Sequence, residues 1–195
     1  MKTSVVGLLL SIVITMSLCT ATHAADVRRV VTVLDEHDKA VVLFDSRLPL
    51  TDSGVVSRAE LWSTDTLPPG FSREDSATKS TGISPPDGGT AFRVIDFPPR
   101  DEAAIAKLDP NFLMKQVGDH APIRGQPTKD PLMHRTRTVD YVYIISGEID
   151  MMLDDSTVHL QAGDVVIQQA TNHAWINRGS QPCRVLFVLM DAKQP

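Results

Sequence analysis

Two histidines and a carboxylate in the C-terminal third are the residues with the widest chemical scope: His134, Asp140 and His173. Two imidazoles and one carboxylate form the ligand set of non-haem Fe(II) oxygenases, and on ligand type alone zinc, manganese and nickel also qualify. Without a metal, a histidine paired with an aspartate is a serviceable general base near neutral pH. Both readings stand at this point. In one the trio holds a divalent ion; in the other the histidines pair with Asp140 and Thr136, and the set binds or deprotonates a small molecule. Residues of equal parity on one strand face one side, so His134 and Thr136 point the same way. Asp140 joins them if the strand stays regular past the Arg137-Thr138 step. Aspartate reaches less far than glutamate, and a threonine hydroxyl is a poor ligand for a soft divalent ion. Trp175 shares the parity of His173 and is a candidate pocket wall. Gln168 can offer an amide to a ligand. Tyr141 and Tyr143 have the opposite parity from Asp140 and read as sheet-packing or interface residues, while His37, His120 and His159 sit in polar, turn-like contexts that suit solvated histidine.

The elements that would position these residues are short strands. Val139–Ile145 is a β-rich run, followed by Ser146-Gly147, the alternation of Glu148 to Leu153, Thr157–Leu160, Val165–Gln168, His173–Asn177 and Pro182–Met190. Strands at steps of about 8–12 residues with turn residues between them indicate an antiparallel sandwich or barrel. Upstream, Val30–Leu34 and Ala40–Phe44 flank a polar turn and predict a hairpin, Ser57–Ser63 a third strand and Phe92–Phe97 a fourth. Thr64–Thr90 is rich in Pro, Gly, Ser and Asp and reads as a loop wrapping the surface and touching a barrel mouth. Asp101–Leu108 and Asn111–Val117 read as short helices.

The chain has 195 residues and a formal charge of −5. Its acidic residues are scattered and it has no basic stripe, which argues against nucleic acid as a partner. Lys2 and the apolar run Val5–Leu18, then Ala21-Thr22-His23-Ala24-Ala25, read as a cleavable signal peptide over 1–24, with cleavage after Ala24 or Ala25. That predicts a secreted or periplasmic protein, off the membrane once cleaved, and a single domain of about 170 residues. Cys183 is then the one cysteine left, in a strand-like run that suits a buried, inert thiol.

Two stretches resemble the cupin superfamily. His134-Arg135-Thr136-Arg137-Thr138-Val139-Asp140, six residues and Gly147 follow the spacing of the first cupin motif, with Thr136 at the second histidine's place and Asp140 at the glutamate's. Gly163-Asp164 opens the second motif, and His173 with Asn177 keeps its His-x-x-x-Asn spacing, although Gln169-Ala170-Thr171-Asn172 lacks the Pro and Gly and is one residue short. The resemblance spans Met133 to Asp191 and implies an all-β, cupin-type antiparallel jelly-roll barrel. The motif region would run over 126–195, and residues 25–125 would supply an N-terminal β extension, a long loop and one or two short helices. It implies a site of His134, Asp140 and His173, lined by Thr136, Gln168, Trp175 and Asn177. The same three residues would hold one divalent ion (Fe, Zn, Mn or Ni), if a metal is held at all. The occupant is then a small organic molecule, either the substrate of a dioxygenase, isomerase or decarboxylase or the ligand of a non-catalytic binding module. The resemblance also implies a homodimer formed through strands near Val30–Phe44.

Overall fold

The computed structural model describes residues 26–79, 82–109, 112–113 and 129–193. The predicted leader, and most of the second predicted helix, lie outside them. Eleven strands, β1 to β11, are found among the described residues, and every pairing between them is antiparallel.

β1 (Asp26–Leu34) and β2 (Ala40–Pro49) form the expected hairpin. Its turn closes where Asp35 Oδ1 accepts from the backbone N–H groups of His37 and Lys39. Hydropathy ends the second run at Phe44, yet β2 continues five residues further. Paired charges carry that extension: Arg28 reaches Asp45 across the ladder, and Arg47 reaches Asp26. A two-stranded ribbon is marginal in water, so this one needs an anchor. Arg29 supplies it. The residue is 7% exposed, and its guanidinium donates to both Asp75 oxygens at 2.7 and 2.6 Å and to the Leu61 carbonyl at 3.0 Å. The Phe44 and Trp62 rings lie 5.4 and 5.9 Å from it. Asp75 also accepts from Ala77 N at the start of a 3-10 turn, Ser76–Thr78, inside the long loop.

The main sheet has the order β3-β4-β5-β11-β6-β9, built from Thr51–Asp52, Ser57–Thr64, Thr90–Phe97, Cys183–Asp191, Thr138–Ser146 and Val165–Gln169. N-terminal strands therefore extend the sheet that carries the motif region. The second sheet, β10-β7-β8, uses Ala174–Ile176, Glu148–Met152 and Thr157–Gln161. Inward side chains of both sheets form one core: Val142, Ile144, Val185 and Phe187 from the first meet Ile149, Met151, Leu160 and Trp175 from the second. A smaller cluster on the outer face joins Ala59, Leu61 and Val94 to Val27 and Leu48 of the hairpin. The chain passes from one sheet to the other at Gly147. Its φ is +81°, and a Cβ there would lie 2.8 Å from the Pro182 carbonyl oxygen, so glycine is required by both strain and space. The predicted helix at 101–108 shortens to α1 (Glu102–Ile105), capped by Asp101, whose carboxylate accepts from Ala103 N and Ala104 N. Arg93 donates into the long loop at the Gly82 and Ile83 carbonyls, tying that loop to the space between the sheets.

Asp75→Ala should remove the carboxylate partner of a nearly buried guanidinium and cost about 2 kcal/mol, below the figure for a fully buried pair because Asp75 is partly solvated. Urea unfolding checks the magnitude, and hydrogen exchange should show faster exchange in β1 and β2 than in β5 or β11.

Candidate functional site

A cavity of about 290 Å³ opens between the inner face of the main sheet, β10 and the segment around α1. His134, Thr136, Asp140, His173, Trp175 and Asn177 all line it, so six of the seven residues expected at the site share one space. The parity argument holds without a break: Thr136, Thr138, Asp140, Val142 and Ile144 are all buried, while Tyr141, Tyr143 and Ile145 are exposed.

The two histidines form one pole. They face each other through an isolated antiparallel bridge, with both backbone hydrogen bonds made at 2.9 and 2.8 Å. Their rings are 4.6 Å apart. Nδ1 of His134 lies 2.9 Å from the Leu132 carbonyl, and Nδ1 of His173 lies 3.0 Å from that of Thr171. In a neutral ring a carbonyl at Nδ1 places the proton there and leaves the lone pair on Nε2. His173 is held neutral: burial, then the neighbouring His134, pushes its pKa down to about 3.

Asp140 belongs to a second pole. It is 3% exposed and lies opposite Gln168 on β9, whose Nε2 donates to its Oδ2 at 3.0 Å. Burial raises its pKa to about 6 against the opposing effects of the Thr138 hydroxyl and the Arg93 guanidinium. Arg93 is itself 2% exposed and is pushed down to about 10 by burial, which Glu60 opposes; Glu60 Oε2 is 3.3 Å away. Neither histidine figures among the groups that set the charge of Asp140, and Asp140 does not figure for His173.

The expected trio is therefore not assembled as one ligand set. Among the described residues no group of three or more His, Cys, Asp or Glu is placed to hold a metal ion. His134 stands before β6 in the isolated bridge to His173, whereas Asp140 lies within β6, opposite Gln168. Among the described residues, the part of the expected set that stands together is the pair of imidazoles. The pairing of the histidines with Asp140 and Thr136 is replaced too: Thr136 bonds the Thr138 hydroxyl at 2.6 Å. Gln168 is not in the cavity wall but stands behind Asp140. Asn177 lines the cavity with its amide already used, donating to the Phe97 and Gln181 carbonyls and accepting from Gly179 N. Trp175 is the expected wall, packed edge-on against Phe187 and His173. Cys183 is fully buried, its thiol raised to about 11 by burial. Arg137 pairs with Asp191 and Asp87 as a surface arginine does. His37 and His159 are exposed; His120 lies outside the described residues. Sequence reasoning passed over Arg93, Phe97 and Phe187. Arg93 was detectable as a charge on the inward parity of a strand that also carries Ala91, Ile95 and Phe97.

The antiparallel two-sheet fold is of the cupin type, and the two bridged histidines stand at its internal cavity. Residues 124–189 match the cupin domain family, so this part of the chain is similar to a cupin domain. It is 43% identical over 70 residues to phomopsin biosynthesis cluster protein C' of Diaporthe leptostromiformis, covering 35% of this chain and 37% of that one. It is 39% identical over 74 residues to the cupin-domain-containing oxidoreductase srdD of Neurospora crassa, covering 36% and 37%. The chain thus spans little more than a third of the length of these relatives. Among solved structures, the Schizosaccharomyces pombe Cnp3 cupin domain covers 87% of this chain and 90% of its own, with 13% identity and a TM-score of 0.42.

The two poles make opposite contributions to stability against pH. His173 has a folded pKa below its unfolded value of about 6.5, so its contribution is complete above that pH and is lost as pH falls towards 3. Asp140 has a folded pKa above its unfolded value of about 3.9, so its contribution is complete below that pH and is lost as pH rises through about 6. Between pH 6 and 4 they offset each other. Asp140→Asn removes one side, so wild type should gain about 2 kcal/mol on the variant as pH falls from 6 to 4. Urea midpoints at several pH values, on metal-free protein, measure this; a constant difference would show that Asp140 titrates normally.

Proposed function

We propose that this protein is an exported cupin that binds a small organic molecule between its two sheets and exchanges a proton with it at Asp140. The observation that carries this is one cavity lined by two bridged histidines at one end and a buried carboxylate with a raised pKa at the other. Neutral His173 accepts a hydrogen bond from the ligand. Asp140, held by Gln168 and balanced by Arg93, changes protonation near the pH of use, which is what a general acid or base requires. The printed names of several relatives describe oxidoreductases, and that supports chemistry on a small molecule rather than storage. Non-catalytic ligand binding is the second reading, supported by a ligand set reduced to two imidazoles.

Asp140→Asn should preserve ligand binding within about threefold and abolish turnover; a full loss of binding instead would make Asp140 a ligand anchor in a non-catalytic holder. Elemental analysis after incubation with Fe(II), Zn(II), Mn(II) and Ni(II) in turn should give well under one ion per chain. One ion per chain, lost in His173→Ala, would restore the metalloenzyme reading.

Two further features complete the proposal. Cleavage after Ala24 or Ala25 would leave β1, which begins at Asp26, intact. The hairpin leaves Val30, Leu34 and Val42 exposed, and open-edge strand β9 presents Val165 and Ile167 beside Tyr143 and Tyr141 of β6. A second copy covers both surfaces when each hairpin lies on its neighbour's barrel. N-terminal sequencing of exported protein should read from Ala25 or Asp26, and light scattering at micromolar concentration should give twice the chain mass. A start at Met1 or a monomer mass overturns the respective part.

A further inference from the structure

The chain has ten aromatic residues: six Phe, two Tyr and two Trp. Four of them, Phe97, Phe112, Trp175 and Phe187, line this cavity. Three pack on one another: Phe97 lies 6.3 Å from both Trp175 and Phe187, and Trp175 meets Phe187 at 5.6 Å with the planes 83° apart. Trp175 then meets His173 edge-on at 6.0 Å, and His173 meets His134 at 4.6 Å. Five rings thus run in a continuous series along the cavity, three on strands of the two sheets and two at the isolated bridge.

A ring beside an empty space lacks contact atoms on that side, and the open faces and edges of this series are matched best by another ring. An aliphatic body gains only area there. The three guanidinium groups in the wall, Arg58, Arg93 and Arg100, each face a carboxylate of the chain, Glu60 or Asp130, so the cavity does not demand an ionic ligand. What it offers in polar terms at the ring series is an acceptor: the Nε2 lone pair of His173, with Nδ1 turned to the Thr171 carbonyl. An acceptor in so enclosed a place favours a donor on the ligand and discriminates against its absence.

From this we infer that the ligand of the cavity is an aromatic molecule of one or two rings that carries an O–H or N–H donor. The inference rests on the proposal that the cavity binds a small organic molecule and names the class. The ring series takes the aromatic body, and the donor meets His173.

Three probes of nearly equal size test it on the purified full chain by calorimetry: 2-naphthol, 2-methoxynaphthalene and decahydro-2-naphthol. 2-Naphthol should bind about tenfold more tightly than the saturated alcohol, which lacks the ring, and about tenfold more tightly than the ether, which lacks the donor. Trp175→Leu should bring the preference over the saturated alcohol below threefold. Where that variant melts below the assay temperature, Phe187→Leu serves the same purpose. Equal binding of 2-naphthol and decahydro-2-naphthol overturns the aromatic class while leaving the small-molecule cavity in place. Equal binding of 2-naphthol and the ether overturns the donor. An unchanged preference in both variants overturns the placement in this cavity, and failure of all three probes to bind overturns the inference together with the proposed function.

Discussion

Everything at the site depends on the unbroken alternation from His134 to Ile144. The space between two sheets holds little water, so any polar side chain turned inward must find its partner on a neighbouring strand. Along this segment the inward series is apolar at Ile144 and Val142 and polar at Asp140, Thr138 and Thr136. The change of character at Asp140 marks where the packed core ends and the cavity begins. Pairing with β11 on one side and β9 on the other fixes the register. A slip of one residue would put Tyr141 and Tyr143 inside and strand Asp140 in solvent, so the same register that builds the core also places the carboxylate.

That constraint explains how much could be read from the chain. Parity alone, applied to Thr136 and Asp140, puts both inside, and the structure agrees because burial alternates from Thr136 to Ile144, with the register shift of the β6–β11 pair falling beyond Ile144. The turn spacings and the hairpin were legible for the same reason: period-two patterns and turn residues act locally. Gly147 looked like an ordinary turn residue. Its real constraint, the approach of Pro182 and Cys183 from the far end of the sequence, is not local and leaves no mark beside it.

Cross-strand neighbours were the part that could not be read. Parity says which face Asp140 occupies but not how far along that face it lies from His134. Grouping His134, Asp140 and His173 rests on the face they share, and a shared face does not make them neighbours. By sequence Gln168 reads as a ligand contact, because the register that sets it directly opposite Asp140 is a property of the β6–β9 pair. Arg93 reaches the same charged neighbourhood from β5, two strands from β6 in the sheet. Arg29 shows the effect in a structural role. Nothing near it in sequence announces that its carboxylate partner lies in the long loop, with the two aromatic rings beside it coming from β2 and β4.

Separating the poles has a chemical consequence that a single cluster would not have. Were Asp140 packed against the histidines, its charge would draw a proton onto the imidazoles, and each group would hold the other near its charged form. Apart, burial acts on both without that compensation. It drives His173 to the neutral form and Asp140 towards the protonated one. The charged state that remains accessible to Asp140 is the one Arg93 tolerates, and Arg93 can stay in the interior because Glu60 stands beside it. The β4–β5–β6 charge series thus sets the proton affinity at one end of the cavity, while the backbone carbonyls of Leu132 and Thr171 set the tautomer at the other. A ligand spanning the two meets a fixed acceptor and a group able to change its proton, and each is tuned by neighbours that the other does not share.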